Sequence, residues 1–205
     1  MSSVRVKICG ITRLEDALAA AELGADALGF NFWPGSKRHV DPETAQAIVG
    51  RLPPFVTPVG VFVNQEPTEV LHLCALSRVT VVQLHGDEEP RDCAGHVMPV
   101  IKAFRVSGPA DLAPIPRYHR AAAILLDAPG DGYGGSGQTF DWALARQATG
   151  GKPILLAGGL TPDNVAAAVR AVRPWAVDVA SGVESAPGIK DHDKLARFIR
   201  AAKES

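Results

Sequence analysis

Short runs rich in branched apolar residues alternate along the chain with stretches whose apolar residues recur at helical spacing. Eight of the runs predict β-strands, at residues 4–9, 26–32, 56–63, 81–85, 99–104, 122–127, 153–158 and 176–181. Five amphipathic stretches predict helices, at residues 14–23, 42–52, 67–76, 162–172 and 190–202. After the fourth, fifth and sixth strands the helical pattern is weak, so these regions are expected to be partly irregular.

Two of the helical stretches begin with residues that favour a helix start. Asp41 precedes Pro42, and Thr161 precedes Pro162, with an acidic residue following each proline. Aspartate and threonine side chains can cap free N–H groups, and proline suits the first helical position. Both pairs therefore predict a helix that starts at its proline.

Strands that alternate with helices favour a parallel sheet, because each parallel crossover needs a long connection. Eight such units in 205 residues predict an α/β fold, a single (β/α)8 barrel domain over residues 1–205. A doubly wound open sheet is the alternative. Its phosphate-binding fingerprint would follow the first strand, where the chain reads CGIT and lacks the G-x-G-x-x-G spacing. The barrel is therefore favoured.

The charge is almost balanced, with 21 basic and 22 acidic residues and a formal net charge of -1. Without a basic block, nucleic acid and anionic membrane surfaces are poor partners, and a small molecule is the expected ligand. No stretch reaches the ~20 apolar residues of a membrane span. The first residues also lack a signal-peptide pattern, so a cytoplasmic location is expected.

The three cysteines are widely spaced and odd in number, so neither a disulfide framework nor a zinc site is expected. Cys74 and Cys93 lie in helix-like segments, where a buried cysteine usually acts as a small apolar side chain. Cys9 differs because it lies where the first strand ends.

In a (β/α)8 barrel the catalytic groups come from the C-terminal ends of the strands and the loops that follow. The polar or small residues at the predicted strand ends are Cys9, Asn31, Asn64, His85, Lys102, Asp127, Gly158, Gly159, Ser181 and Gly182. The chemistry is expected within this set.

Two pairs of small residues follow the last two strands: Gly158 with Gly159, and Ser181 with Gly182. Small residues here let backbone N–H groups approach an anion, at the positions where barrels commonly bind phosphate. One such pair alone would be ordinary turn chemistry. Two pairs at the expected strand ends favour a phosphorylated small molecule as the ligand.

Side-chain alternation in the first strand places Arg5, Lys7 and Cys9 toward the barrel interior and the apolar residues between them toward the helices. By the same count Asp178 points inward from the eighth strand, which closes beside the first. Lys7 and Asp178 can then form an ion pair, either purely structural or in contact with substrate. A cation near Cys9 would favour the thiolate and lower the pKa of the thiol.

Asp127 ends the sixth strand as an inward carboxyl group and precedes a glycine-rich segment, Gly134 to Gly137 included, that is suited to a mobile cover. A thiol and a carboxyl on opposite sides of a sugar phosphate can perform the proton transfers of an isomerisation. The alternative use of Cys9 is nucleophilic attack, which calls for a neighbouring histidine as base. His85 is the inward histidine, and the sequence leaves its contact with Cys9 open.

A basic cluster, Lys37 to His39, follows the second strand. Such a cluster is usually a solvated surface. An arginine above a barrel mouth can also bind a substrate carboxylate through two parallel hydrogen bonds. Arg38 is therefore a candidate for either role.

Segments over nearly the whole chain resemble the phosphoribosylanthranilate isomerases of tryptophan biosynthesis. They are VKICGIT, GADALGFNFWPGSKRHV, VGVFVN, VQLHGDE, LLDAPGDGYGGSGQTFDW, LAGGLTPDNV and VDVASGVESAPGIKDHDKL. The resemblance implies a (β/α)8 barrel that performs an Amadori rearrangement of N-(5-phosphoribosyl)anthranilate without cofactor or metal. The sequence does not decide between a monomer and a homodimer.

The resemblance also implies roles for individual residues. In that family the cysteine of KICG is the general base and the aspartate that ends the sixth strand is the general acid, which correspond to Cys9 and Asp127. The arginine of the SKR motif lies near the anthranilate carboxylate, a role that falls to Arg38. The Gly-Gly and Ser-Gly pairs match the family's phosphate site. Further candidates for substrate contacts are Lys7, His85 and Asp178.

Two rival functions remain. The histidine-pathway isomerase runs the same rearrangement on another phosphoribosyl compound and resembles a two-aspartate design, with an acid on the first strand where this chain has Cys9. A non-catalytic barrel that binds a sugar phosphate is the other rival, and the presence of both Cys9 and Asp127 argues against it.

Overall fold

Eight parallel strands close into a barrel in the computed structural model, which describes residues 4–128, 142–148 and 151–205. The strands are β1 (Arg5–Cys9), β2 (Ala27–Asn31), β3 (Thr57–Phe62), β4 (Val81–Leu84), β5 (Val100–Arg105), β6 (Ala123–Asp127), β7 (Ile154–Leu156) and β8 (Ala176–Val179). Each pairs with the next along the chain, and β1 closes the barrel by pairing with β8. The predicted barrel is confirmed.

Within these described ranges, six α-helices accompany the strands: α1 (Leu14–Glu22), α2 (Pro42–Val49), α3 (Pro67–Ser77), α4 (Trp142–Ala145), α5 (Val165–Val172) and α6 (His192–Lys203). The start of α2 is as predicted, with Pro42 at the first helical position and the Asp41 carboxylate accepting a hydrogen bond of 2.7 Å from the Thr44 N–H. The cap therefore satisfies one of the free donors at that helix end.

The predicted start of the helix that follows β7, at Pro162, is wrong. Helix α5 begins at Val165, because the Asn164 side chain accepts from the Thr161 N–H at 2.8 Å and donates to the Gly159 carbonyl at 2.9 Å. These two bonds shape residues 161–164 into a turn. The turn ties the start of α5 to the loop that leaves β7.

The weak helical patterns after β4 and β5 correspond to short 3₁₀ turns. They are Asp92–Ala94, Pro109–Leu112 and Ile115–Arg117. After β6 the described helix is the four-residue α4. The glycine-rich segment with Gly134 to Gly137 lies outside the described residues.

Apolar side chains form two layers, one inside the barrel and one between the barrel and the helices. The inner layer consists of Val59, Ile101, Ala103, Ala123, Leu125, Leu155, Ala157 and Ala176. Parallel strands buried on both faces need apolar residues in nearly every position, as β6 shows. The inner layer fills the barrel below the strand ends, so the open space lies at the rim.

Strand β1 follows the predicted alternation except at its first residue. Val6 and Ile8 are buried against the helices, and Lys7 is buried on the other face. Arg5 is exposed instead of interior, and its guanidinium lies 4.4 Å from the centre of the Trp175 ring. The strand begins there, so the side chain reaches solvent at the N-terminal end of the barrel.

A short antiparallel hairpin, β9 (Glu184–Ala186) with β10 (Ile189–Lys190), follows β8 and packs against the end of β1. The Thr12 hydroxyl donates to the Gly188 carbonyl at 2.6 Å, and the Lys190 N–H donates to the buried Asp16 carboxylate at 3.0 Å. These bonds hold the hairpin beside the loop that leaves β1.

Among the described residues, none of the helices combines the length and apolar character needed to cross a membrane.

Cys74 and Cys93 are buried, as expected for apolar packing, and burial raises the pKa of each thiol to about 11.

Candidate active site

A cavity of about 430 Å³ lies at the C-terminal ends of the strands. Ten residues were assigned a catalytic, substrate-binding or phosphate-binding role from the sequence and the resemblance, and nine of them line the cavity: Cys9, Arg38, His85, Asp127, Gly158, Gly159, Asp178, Ser181 and Gly182. Two other strand-end residues, Asn64 and Lys102, are outside this wall, and Lys102 forms a buried ion pair of 2.8 Å with Glu88. Residues that are distant in sequence therefore meet at one cavity, as the rule for strand ends of a barrel predicts.

Lys7 is the candidate that does not line the cavity. It is 2% exposed, and its ammonium is 2.8 Å from the Asp178 carboxylate. Burial acts to lower the pKa of Lys7, but Asp178 and Cys9 together outweigh burial and raise the pKa, so the side chain is an ammonium ion. Lys7 lies behind the wall, between Asp178 and Cys9, and its contact with substrate stays a prediction.

Cys9 is the last residue of β1, and its thiol lies against a glycine on the next strand. A methyl group on Gly29 would come within 2.8 Å of the Cys9 Sγ and 3.0 Å of the Lys7 Nζ. Both polar groups therefore occupy space that only a glycine leaves free. The register of β1 and β2, with Cys9 opposite Gly29, brings this gap to the thiol.

Burial raises the pKa of the Cys9 thiol above its ordinary value, while the Lys7 ammonium acts to lower it. The predicted influence of the cation is present, but burial outweighs it. The free thiol is therefore protonated at neutral pH, with a cation in place to stabilise the thiolate once the proton leaves.

Asp127 ends β6 and is 6% exposed. One carboxylate oxygen accepts from the Ala128 N–H at 2.9 Å, and the other lies 3.2 Å from the His85 Nε2. His85 therefore contacts the carboxyl group of the candidate pair. No bond between His85 and Cys9 is recorded among the described residues, which removes the support for a thiol–imidazole nucleophile.

Gln83 was not identified from sequence, although it lies two residues before His85 on the same face of β4. It is fully buried, and its amide nitrogen is 2.9 Å from the His85 Nδ1. With an amide N–H facing Nδ1, a neutral imidazole carries its hydrogen on Nε2 and donates it to Asp127. The strand thus fixes which imidazole nitrogen faces the carboxylate.

Arg38 reaches the cavity from the loop after β2. Its Nε and Nη2 atoms donate to the two Glu184 carboxylate oxygens, at 2.8 Å each. Glu184 also accepts from the Lys190 ammonium at 2.9 Å. Sequence reasoning missed Glu184 and Lys190; the available signal was two charged residues on either side of a Pro-Gly turn, directly after the eighth strand.

The four small residues at the ends of β7 and β8 face one side of the cavity. Gly158 and Gly159 have φ values of 79° and 62°. A methyl group on Gly158 would collide with the Ala128 backbone, and one on Gly182 with the Leu160 carbonyl. No described residue accepts a hydrogen bond from the N–H groups of Gly158 and Gly159, so these donors are available to an anion.

Within the part of the chain that the structure describes, no group of three or more His, Cys, Asp and Glu side chains is placed to hold a metal ion. The cavity instead offers a thiol, a carboxyl group bonded to a histidine, a guanidinium group and free backbone donors. This set can transfer protons to and from a substrate that carries an anionic group at each end.

Comparisons with known proteins agree with this geometry. The family model described as N-(5'phosphoribosyl)anthranilate (PRA) isomerase matches residues 6–201. An N-(5'-phosphoribosyl)anthranilate isomerase of Geobacter metallireducens is 58% identical, with 98% of this chain and 99% of that protein covered. One of Myxococcus xanthus is 54% identical, with 98% and 97% covered.

Solved structures give the same result. The phosphoribosyl anthranilate isomerase of Thermotoga maritima superposes with a TM-score of 0.92 at 50% identity, covering 98% of this chain and all of that one. A phosphoribosyl anthranilate isomerase in complex with reduced 1-(o-carboxyphenylamino)-1-deoxyribulose 5-phosphate has a TM-score of 0.88 at 47% identity, with 98% and 100% covered. The chain belongs to the N-(5'-phosphoribosyl)anthranilate isomerase family.

Proposed function

We propose that this protein converts N-(5-phosphoribosyl)anthranilate into 1-(2-carboxyphenylamino)-1-deoxyribulose 5-phosphate, a step of tryptophan biosynthesis, with Cys9 as general base and Asp127 as general acid. The observation that carries these roles is that the Cys9 thiol and the Asp127 carboxyl line one cavity between strand ends. A thiol and a carboxyl supply the two proton transfers that an aldose–ketose rearrangement needs.

The reaction begins at the ribose ring. Asp127 donates a proton to the ring oxygen, the C1–O bond breaks, and the nitrogen lone pair forms a Schiff base at C1. Cys9 first loses its own proton to solvent, with the Lys7 ammonium stabilising the thiolate. The thiolate then removes the proton from C2, and the C2–H electrons give an enolamine. Tautomerisation of the enolamine produces the ketone. Asp127 regains a proton from solvent and Cys9 releases the one it took, so the sum is an isomerisation with no atom gained or lost.

Two buried contacts support these roles. Lys7, paired with Asp178 at 2.8 Å, provides positive charge beside the thiolate form of Cys9. The His85 Nε2 lies 3.2 Å from an Asp127 carboxylate oxygen and stabilises the carboxylate that forms when Asp127 has donated its proton. In a site with little water such interactions are stronger than in bulk solvent.

The two ends of the substrate carry the charge that positions it. The N–H groups near Gly158, Gly159, Ser181 and Gly182 would bind the phosphate, and the guanidinium of Arg38 would bind the anthranilate carboxylate. The related isomerase with a reduced product analogue bound supports a phosphorylated, carboxylate-bearing ligand of this kind. Anchoring both ends limits the freedom of the ring-opened intermediate.

The remaining expectations belong to the same proposal: one barrel domain, a cytoplasmic location, no cofactor, no nucleic-acid partner, and either a monomer or a homodimer. One related structure describes monomers generated from the dimeric phosphoribosylanthranilate isomerase of Thermotoga maritima, which supports a dimer as one of the two states.

A fluorescence assay tests the proposed reaction. Freshly prepared phosphoribosylanthranilate is fluorescent, and the purified protein is expected to remove that fluorescence. Unchanged fluorescence, with the preceding and following enzymes confirmed active in the same buffer, would contradict the proposal. Binding of a sugar phosphate without turnover would instead support the non-catalytic barrel.

A further inference from the structure

The hairpin after β8 carries a buried ion pair that does not line the cavity. The Lys190 ammonium is fully buried and lies 2.9 Å from the Glu184 carboxylate, which is 5% exposed. Glu184 in turn accepts both hydrogen bonds of the Arg38 guanidinium. Two cations next to one carboxylate outweigh the effect of its burial and lower the pKa of Glu184, so it is ionised.

Lys190 joins three parts of the site that are far apart in sequence. Besides Glu184, its ammonium donates to the Cys9 carbonyl at 2.6 Å and to the Ala180 carbonyl at 3.3 Å. Cys9 ends β1, and Ala180 directly precedes the Ser-Gly pair of the candidate phosphate site. The three N–H groups of one ammonium therefore bind the end of β1, the residue before the Ser-Gly pair, and the carboxylate that accepts from Arg38.

The guanidinium of Arg38 is fixed on two sides. Its carbon stem crosses the end of β1, where a methyl group on Gly10 would lie 2.5 Å from the Arg38 Cδ. Its Nε and Nη2 edge faces Glu184. No described residue accepts from Nη1, which leaves that nitrogen for the cavity that Arg38 lines.

We propose that Glu184 and Lys190 are positioning residues for carboxylate recognition: Glu184 fixes the Arg38 guanidinium with Nη1 toward the cavity, and Lys190 fixes Glu184 to the strand end that carries Cys9. The proposal rests on the proposed function, since it assigns the substrate carboxylate to Arg38. It adds that selectivity for a carboxylate-bearing substrate depends on a carboxylate that never touches the substrate.

A purely structural role for the pair predicts a different outcome. Loss of Glu184 would then lower stability without changing how the protein distinguishes ligands. A positioning role changes the ratio of affinities for two ligands that differ only in the carboxylate. The suitable probes are the reduced product analogue, 1-(2-carboxyphenylamino)-1-deoxyribulose 5-phosphate in reduced form, and the same compound lacking the carboxylate.

The first experiment measures the Kd of both probes by calorimetry for the natural protein and for Glu184→Gln. The variant keeps the size of the side chain but loses the charge and one acceptor oxygen facing Arg38. We expect about tenfold weaker binding of the carboxylate probe, equivalent to ~1.4 kcal/mol, and less than a twofold change for the other. Equal weakening of both probes, or no change in either, would overturn the proposal.

Asp26→Asn is the matched control, with the same carboxylate-to-amide change. Asp26 pairs with Lys203 at 3.0 Å and accepts from the Val6 N–H at 2.8 Å, at the opposite end of β1 from Cys9. The Asp26→Asn variant therefore loses an ion pair that has no contact with Arg38. We expect its two Kd values to match those of the natural protein.

A double-mutant cycle separates action through Arg38 from a direct effect. Because Glu184 acts through the guanidinium, Glu184→Gln in an Arg38→Ala background should change the Kd of the carboxylate probe by less than twofold. A further tenfold loss in that background would show that Glu184 does not act through Arg38.

The single variant leaves the Lys190 charge buried with a weaker partner, which can prevent folding. Should Glu184→Gln not fold, Glu184→Gln combined with Lys190→Met removes both charges of the pair. The same selective weakening of the carboxylate probe is expected, and its absence overturns the proposal. These binding measurements do not depend on turnover, so a failed fluorescence assay with intact probe selectivity would reject the reaction and not the positioning pair.

Discussion

The Cys9 thiol is subject to two opposing influences within a few ångströms. Burial raises its pKa, and the Lys7 ammonium lowers it without offsetting burial. The proposed base is therefore a thiol in the free protein, and its thiolate form becomes more populated as the pH rises. Its reactivity should follow the same direction.

Removal of the thiol tests its role as base. We expect Cys9→Ser to lower kcat by at least about 10²-fold, because a serine hydroxyl is a far weaker base than a thiolate at the same position. The Kd of the reduced product analogue should stay within about threefold, since the anchors at both ends are unchanged. Near-normal kcat in this variant would remove Cys9 as the base.

Alkylation measures the thiol pKa directly. Because burial disfavours the thiolate, the rate of Cys9 modification by iodoacetamide should increase through the alkaline range, with a midpoint above the ordinary thiol value of about 8.5. Cys9→Ser supplies the background from the buried Cys74 and Cys93. A midpoint below pH 8 would show that the cation outweighs burial.

At the level of elements, the start of α2 shows how one side chain stabilises a helix that positions no catalytic group. The Asp41 carboxylate accepts from the Thr44 N–H, and this bond lowers the pKa of Asp41. A lowered carboxyl pKa means stability that is complete above the unfolded value near ~4 and is lost as the pH falls through the folded value.

Loss of the cap should be measurable at neutral pH. We expect Asp41→Ala to lower the free energy of unfolding by about 1 kcal/mol, as other N-cap replacements do. Urea unfolding at pH 7 measures the change, and the difference from the natural protein should shrink below pH 4. A variant as stable as the natural protein at pH 7 would show that the cap contributes nothing.

The sequence predicted elements best where the information is local. Alternation and helical spacing located the eight strands, each boundary within two residues of its place in the structure. The predicted start of α5 failed because the Asn164 side chain holds residues 161–164 in a turn, while the Thr161 hydroxyl accepts only a longer bond of 3.3 Å from the Asp163 N–H. The hairpin went unpredicted because its strands are only three and two residues long and its partners lie at the other end of the chain.

For the whole molecule, the barrel interior separates stability from chemistry. Its apolar layer lies below the cavity, and Leu125 is fully buried within it. Large residues there fill space between strands, so a truncation leaves a void that the closed sheet cannot easily collapse.

Truncation at the inner layer should therefore be costly. We expect Leu125→Ala to lower the free energy of unfolding by about 2–5 kcal/mol. Leu76→Ala is the control, since Leu76 is 37% exposed on α3, and it should stay within roughly 1 kcal/mol. Similar losses in both variants would show that the inner layer is no more tightly packed than the surface.

The candidate site was predictable as a set of residues and not as a set of contacts. The barrel rule and strand alternation placed Cys9 and Asp127 at one rim, and the structure brings both to one cavity. Alternation also predicted that Lys7 and Asp178 can pair, as they do at 2.8 Å. Neither rule contains distances, so the Arg38–Glu184 bond and the absence of Lys7 from the cavity wall had no sequence signature. Both depend on how strands and loops far apart in sequence come together.

The closure of β1 against β8 also sets when the site can exist during synthesis. Cys9 and Lys190 are 181 residues apart, and Lys7 and Asp178 are 171 apart. Until the ribosome has added Asp178 and Lys190, the Lys7 ammonium has no carboxylate partner, and no lysine of the hairpin holds the strand end that carries Cys9. A nascent chain that stops before β8 has no complete cavity, so premature termination there yields an inert fragment.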